Sequence, residues 1–187
     1  MRDDRNEAQD RRRRILEGAR TAFLKFGFER SSLADIAKGT GVSRTALYHY
    51  FPSKDDVLLA LIEAFHARTH ELALQALEES SGLASALRGL LDVKFGRALE
   101  LMNESPNGVE LVDATHRLTG PATRAADEAF RLLVVDTLVR HGRADEADAV
   151  ADTLIAAAKG LMRSGDVHAT NAEFGSRLGR LVDWVTK

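Results

Sequence analysis

Ser32-Leu33-Ala34-Asp35-Ile36-Ala37-Lys38-Gly39-Thr40-Gly41-Val42-Ser43-Arg44-Thr45-Ala46-Leu47-Tyr48-His49-Tyr50-Phe51 decides the fold of this chain. Ser32 is suited to capping a helix, because its hydroxyl can accept from an amide of the first turn. Asp35, three residues on, can reach back to complete a capping box. Ile36 and Ala37 face inward, and Ala37 is small enough to let a second helix cross close by. Gly39 and Gly41 bracket the break, since a short interhelical turn commonly needs positive φ. Val42 plugs the turn from the apolar side. Ser43 caps the next helix, and Leu47 and Phe51, four apart, give it a buried stripe. Its other face carries Arg44, Thr45, Tyr48 and His49. These are donors, acceptors and aromatic planes suited to phosphates and base edges in a major groove. The stretch therefore predicts a helix–turn–helix.

Outward from it, Asp10 is a cap candidate for a preceding helix with Ile15, Ala19, Ala22, Phe23 and Phe26 on one stripe, closed by Gly27. Arg11 to Arg14 put four cations in its first turn, opposing the helix dipole. That conflict is relieved if a polyanion binds there; the alternative is a solvated arginine run. After Phe51-Pro52, Ser53 and Asp56 form a second capping-box pair ahead of a long helix bearing Val57, Leu58, Leu61, Ile62 and Phe65. Further helices are predicted over Leu83–Met102, Val109–Leu118, Pro121–Val139, Asp145–Arg163 and Asn171–Thr186. The expected fold is all-α: an N-terminal three-helix DNA-binding domain, residues 1–54, and a helical bundle, residues 55–187.

Ser31-Ser32-Leu33-Ala34-Asp35-Ile36-Ala37, Gly41-Val42-Ser43 and Leu47-Tyr48-His49-Tyr50-Phe51-Pro52-Ser53-Lys54 together resemble the DNA-binding signature of TetR-type (AcrR-like) transcriptional regulators. Arg14-Ile15-Leu16, Ala22-Phe23 and Leu58-Leu59 extend the resemblance through roughly the first 55 residues. Ser31-Ser32 stand where the family often has two threonines, and Thr45-Ala46 where glycine-threonine is frequent. The rest of the chain matches only in length and helical texture. The resemblance implies a ligand-responsive regulator, most often a repressor, released from a palindromic double-stranded DNA operator by a small-molecule inducer. It implies that Ser43, Arg44, Thr45, Tyr48 and His49 face the major groove and that Ser32, Tyr50 and Lys54 hold phosphate. It implies a cavity in the body, for which Phe65, Leu91, Phe95, Leu99, Met102, Val109, Val112, Phe130 and Val134 are candidate walls. His66, Lys94, Asp113, His116 and Arg117 are its candidate polar anchors. It also implies a homodimer through the last two helices. The long apolar faces left over there carry Leu154, Ile155, Ala158, Leu161, Phe174, Leu178, Leu181 and Val185.

Composition agrees. The 187 residues suffice for one domain or two small ones. Residues 1–54 carry +5 and the remainder −7, a basic head on an acidic body, as a nucleic-acid-binding module joined to another should show. The absence of cysteine excludes disulfides, thiolate catalysis and cysteine-based zinc sites. The polar start Met1-Arg2-Asp3-Asp4 holds no signal-peptide core, and no apolar run is long enough to span a bilayer, so a cytoplasmic protein with no membrane partner is expected. No Walker loop, nucleophile elbow or dinucleotide fingerprint is present, and neither enzymatic activity nor a cofactor is expected. His66 and His70, and Asp113 and His116, have spacings that can ligate zinc or nickel. This leaves a metal-responsive regulator, or a helical small-molecule-binding protein or enzyme with a vestigial DNA motif, as alternatives; boundary histidines on amphipathic helices are the commoner reading.

Overall fold

The computed structural model describes residues 2–118, 120–164 and 167–187, and their side chains except those of residues 2–6, 116, 121, 122, 164 and 167. Helices α1 (Arg2–Phe26), α2 (Leu33–Thr40), α3 (Arg44–Tyr50) and α4 (Lys54–Glu78) are followed by α5 (Leu83–Leu91), a π-helical turn Asp92–Gly96 and α6 (Arg97–Glu104). Then come α7 (Gly108–Leu118), α8 (Gly120–Arg140), a 3₁₀ turn Ala144–Glu146, α9 (Ala147–Leu161) and α10 (Asn171–Val185). A minimal antiparallel pair, Arg163–Ser164 with Val167–His168, links the last two helices. The all-α expectation holds.

Two compact units divide the chain. One, the head, comprises residues 1–65 and 104–120; the other, the body, comprises 66–103 and 121–187. The division differs from the expected boundary after residue 54. Helix α4 starts at Lys54 and runs without a break to Glu78, and α7 belongs with the head. α7 and the turn before it are tied there by polar contacts. Ser105 Oγ and Asn107 Nδ2 both donate to the Leu24 carbonyl at 2.9 Å, which supplies a partner to an orphan oxygen near the α1 terminus. The Glu29 amide donates to Glu110 Oε1 at 2.9 Å, and Arg117 donates to Glu29 Oε1 at 2.5 Å.

The core of the head gathers Ile15, Ala19 and Phe23 of α1, Ile36 and Ala37 of α2 and Leu47 of α3, all buried, with Phe28 edge-on to Phe23 at 5.2 Å between centroids. α1 begins at Arg2, eight residues before the expected cap Asp10, which instead pairs with Arg13. Gly41 takes φ of +67° at the end of α2, whereas Gly39 stays helical, so one glycine rather than two makes the turn. Gly18 serves close approach: a Cβ there would lie 2.0 Å from Thr40 Cγ2. Gly18→Ala should therefore cost about 1–3 kcal/mol through overpacking. In a Thr40→Ser background the methyl is gone, and the same change should be neutral or stabilising by up to about 1 kcal/mol, because alanine favours helix. Thermal melting of the four proteins reads both signs; an unchanged effect of Gly18→Ala in the Thr40→Ser background would show that Thr40 is not the obstacle.

The body has its own core of Leu87, Leu90, Leu91, Phe95, Leu99, Phe130, Val134, Leu138, Leu154, Phe174, Leu178 and Val182. The single helix expected over Leu83–Met102 is interrupted by the π turn at Asp92–Gly96. Gly96 permits the interruption: a Cβ there would sit 2.7 Å from Asp92 Oδ1 and 3.7 Å from the Phe174 ring. The wider turn resets the helical phase, so that Leu87, Leu91, Phe95 and Leu99 all stay buried. Burial raises the Asp92 carboxyl above the ordinary carboxylate value.

The structure corrects one group of assignments. Leu154, Ala158, Phe174 and Leu178, read from sequence as dimer-interface residues, are at most 2% exposed within one chain and belong to its own core. A side chain without exposed area has no surface to give a partner. Ile155, Leu161, Leu181 and Val185 are half-buried and keep part of their surface.

Candidate nucleic-acid interface

The interface is built by two caps and one buried leucine. Asp35 N donates to Ser32 Oγ at 3.3 Å while Ser32 N donates to Asp35 Oδ2 at 2.9 Å, the reciprocal box expected from sequence. The Ser32 hydroxyl, then its backbone amide, hold the Asp35 carboxyl below the ordinary carboxylate value. A carboxyl depressed in this way contributes stability above its unfolded value of 3.8, and the contribution is lost as pH falls through the folded value. At α3, Ala46 N donates to Ser43 Oγ at 3.2 Å and Phe51 N to the Leu47 carbonyl at 2.9 Å. Leu47 is fully buried, and this fixes the rotation of α3 about its axis. Ser43, Arg44, Thr45, Tyr48 and His49 are consequently turned to solvent, Tyr48 with 56% of its surface exposed. An exposed tyrosine on a short helix whose opposite face is core has no packing role to explain it, and Arg44 has no ion-pair partner among the described residues. Tyr50 is half-buried, its ring edge-on to His49 with centroids 6.0 Å apart.

Lys54 differs from the expectation of a phosphate ligand. Its Nζ donates to the Phe28 carbonyl at 2.8 Å and the Glu29 carbonyl at 3.1 Å, and stands 4.5 Å from the centroid of the Phe28 ring. The ammonium thus pins the start of α4 to the turn between α1 and α2. Neither carbonyl lies close in sequence to Lys54, so no local pattern could have shown this. Lys54→Met should lower affinity for DNA through misplacement while leaving the slope of log K against log salt unchanged. Loss of a phosphate contact would instead reduce that slope by about 0.9. Titrations at several salt concentrations separate the two. In the arginine run, where all four residues are exposed, Arg12 packs over the Phe51 ring at 5.5 Å and Arg13 pairs with Asp10.

The expected ligand-site residues do not form one group. Leu91, Phe95, Leu99 and Phe130 are buried in the body with Met102 against them, and Phe95 meets Phe130 edge-on at 6.1 Å. His66 is also in the body, whereas Phe65, Val109, Val112 and Asp113 are in the head. Asp113 is exposed, and the side chain of His116 lies outside those described. Among the described residues no three His, Asp or Glu side chains are grouped so as to hold a metal ion, and no helix is long and apolar enough to cross a membrane.

Residues 15–61 match the family described as bacterial regulatory proteins, tetR family. The chain is 41% identical over 78 residues to the regulator TtgR of Pseudomonas putida, covering 42% of this chain and 37% of that one. It is 36% identical over 81 residues to the repressor AcnR of Corynebacterium glutamicum, covering 43% and 40%. It thus spans about two fifths of the length of the curated relatives it matches. Solved structures extend the likeness of fold over nearly the whole chain. A transcriptional regulator from Pseudomonas aeruginosa superposes with a TM-score of 0.72 at 21% identity over 95% of this chain and 91% of that one. One from Aquifex aeolicus gives 0.71 at 18% over 94% and 99%. The capped helix–turn–helix, with these matches, assigns residues 15–61 to the family described as bacterial regulatory proteins, tetR family, and the likeness of the rest of the chain to solved structures is one of fold.

Proposed function

We propose that the protein is a homodimeric transcriptional repressor that binds a pseudo-palindromic operator and is released from it by a small organic inducer. The observation that carries this reading is α3, buried through Leu47 and offering Arg44, Thr45, Tyr48 and His49 to solvent. That is the geometry of a helix that enters a major groove and reads base edges. Exposed Arg11 and Arg14 and the amides at the start of α2 supply phosphate contacts, with Ser32 and Tyr50 alongside; such contacts position the reader but carry no sequence information.

One α3 covers only a few base pairs, so specificity needs two, related by a two-fold axis. With Leu154 and Leu178 in the core, the dimer surface is the outward face of α9, Ala149, Thr153 and Gly160, with Trp184 of α10, which is 75% exposed. Small side chains on α9 allow close helix approach, and Trp184 is a large apolar group with no cover in one chain. A ligand held by the body weakens DNA binding only as far as it prefers one setting of the two heads over another.

Genomic DNA fragments captured by the purified protein test the reading. They should share a sequence whose half-sites lie about 34–36 Å apart, or a close variant of that spacing. Fragments with no common sequence would leave a non-specific DNA binder and remove the repressor reading.

A further inference from the structure

Helices α8 and α9 are joined by the short link His141–Glu146 and so run as antiparallel neighbours. An open groove of about 530 Å³ lies along their seam. One end is closed by Arg131, whose Nε donates to Asp152 at 2.6 Å and whose Nη2 donates to Asp148 at 2.5 Å, with Glu128 at 3.8 Å from Nη1. These carboxylates consume the charge of Arg131. Towards the other end, Lys94 lies deep in the wall, its Nζ 2.7 Å from Asp127 Oδ1 and 4.8 Å from the Phe130 ring centroid. Phe130, Ile155 and Ala156 supply the apolar floor.

Arg124 and Lys159 also line the groove, two turns from Arg131 on α8 and from Asp152 on α9. Antiparallel pairing puts both at the same end. Both are exposed, and neither has an ion pair among the described residues. The lining holds four cations, Lys94, Arg124, Arg131 and Lys159, against three anions, Asp127, Glu128 and Asp152. Asp148 on Arg131 brings the anions to four, so the groove as a whole is neutral; because Arg131 and Lys94 are paired with carboxylates, positive charge is concentrated at the Arg124–Lys159 end.

We infer that this groove binds a small amphipathic organic monoanion, a carboxylate or sulfonate with a compact apolar body. The anion sits between Arg124 and Lys159, and the body covers Phe130, Ile155 and Ala156. The volume suits such a molecule. A neutral analogue keeps only the apolar contact, and a cation meets like charge. This names the chemistry of the inducer and rests on the regulator reading for that consequence alone; binding itself is measured without DNA.

The test uses the full chain with anilinonaphthalene sulfonate and its uncharged parent phenylnaphthylamine, both followed by fluorescence. The sulfonate should bind more tightly than the neutral dye. Arg124→Glu and Lys159→Glu should each weaken the sulfonate about threefold, and the pair about tenfold, with the neutral dye unaffected and melting temperatures near that of the parent protein. Ile155→Trp, which fills the floor, should remove both dyes. Equal binding of the two dyes with no effect of charge reversal would overturn the anion assignment. Sulfonate binding that survives Ile155→Trp, or no binding of either dye, would overturn the site. Failure to bind an operator would overturn the regulator reading and leave every one of these results unchanged.

Discussion

Leu154→Asp should abolish folding of the body, whereas Thr153→Arg, one residue away, should yield a folded monomer. Leu154 has no exposed surface and sits among the core side chains of α5, α8, α9 and α10. Truncating a buried leucine to alanine typically costs about 2–5 kcal/mol, and a carboxylate adds the penalty of a buried, unpaired charge. Against a total stability of about 5–15 kcal/mol for a domain, that loss is decisive. Thr153 is exposed, and its hydroxyl donates to the Ala149 carbonyl at 2.8 Å within its own helix. An arginine there reaches water in one chain but meets its symmetry mate across the proposed dimer face. Circular dichroism on heating should show loss of the transition for Leu154→Asp and near-parental melting of the helices for Thr153→Arg. Light scattering should show half the mass for Thr153→Arg, with operator affinity reduced at least about a hundredfold because a single α3 must bind alone. A folded, monomeric Leu154→Asp variant would place Leu154 at an interface after all. A dimeric Thr153→Arg variant would place the interface elsewhere.

Tyr48→Ala and Arg44→Ala should each weaken operator binding by about 1–3 kcal/mol, roughly fivefold to 150-fold, without altering the oligomeric mass of the protein. Tyr48 is 56% exposed while its neighbour Leu47 is fully buried, so removing the ring leaves no cavity. Melting temperatures should accordingly stay within a degree or two of the parent, since surface changes away from special features fall within about 0.5 kcal/mol. If Tyr48→Ala instead melts far earlier with unaltered DNA affinity, the ring is structural and α3 does not read DNA through that face.

What was legible in the sequence was what acts over three or four residues. The Ser32–Asp35 and Ser53–Asp56 boxes, the Ser43 cap and the Leu47 anchor all appear where spacing put them. The exposed face of α3 follows from them. Periodicity also identified Leu154, Phe174 and Leu178 as buried, but a buried stripe does not say what buries it. Those residues close their own chain's core, and the proposed partner surface carries small residues, which give a weak hydropathy signal. Lys54 shows the same limit for charge. A lysine behind a cap pattern reads as a free cation, and only the fold brings the Phe28 and Glu29 carbonyls to it. The π turn at Asp92–Gly96 was hidden because the apolar residues continue through it; its one local mark is Gly96, which only the nearby Asp92 carboxylate explains. The placement of α7 with the head rests on Ser105, Asn107, Glu110 and Arg117 meeting groups about eighty residues earlier in the chain, and no spacing encodes that.

The proposed function requires two copies of α3 to read one palindrome. It is tested most directly by titrating a fluorescent duplex, cut from the captured fragments, with the full chain and following anisotropy at several salt concentrations. Saturation is expected at two chains per palindrome, with log affinity falling linearly with log salt and at least tenfold weaker binding to a duplex with one half-site scrambled. Saturation at one chain per duplex, with equal affinity for the scrambled site, would contradict it.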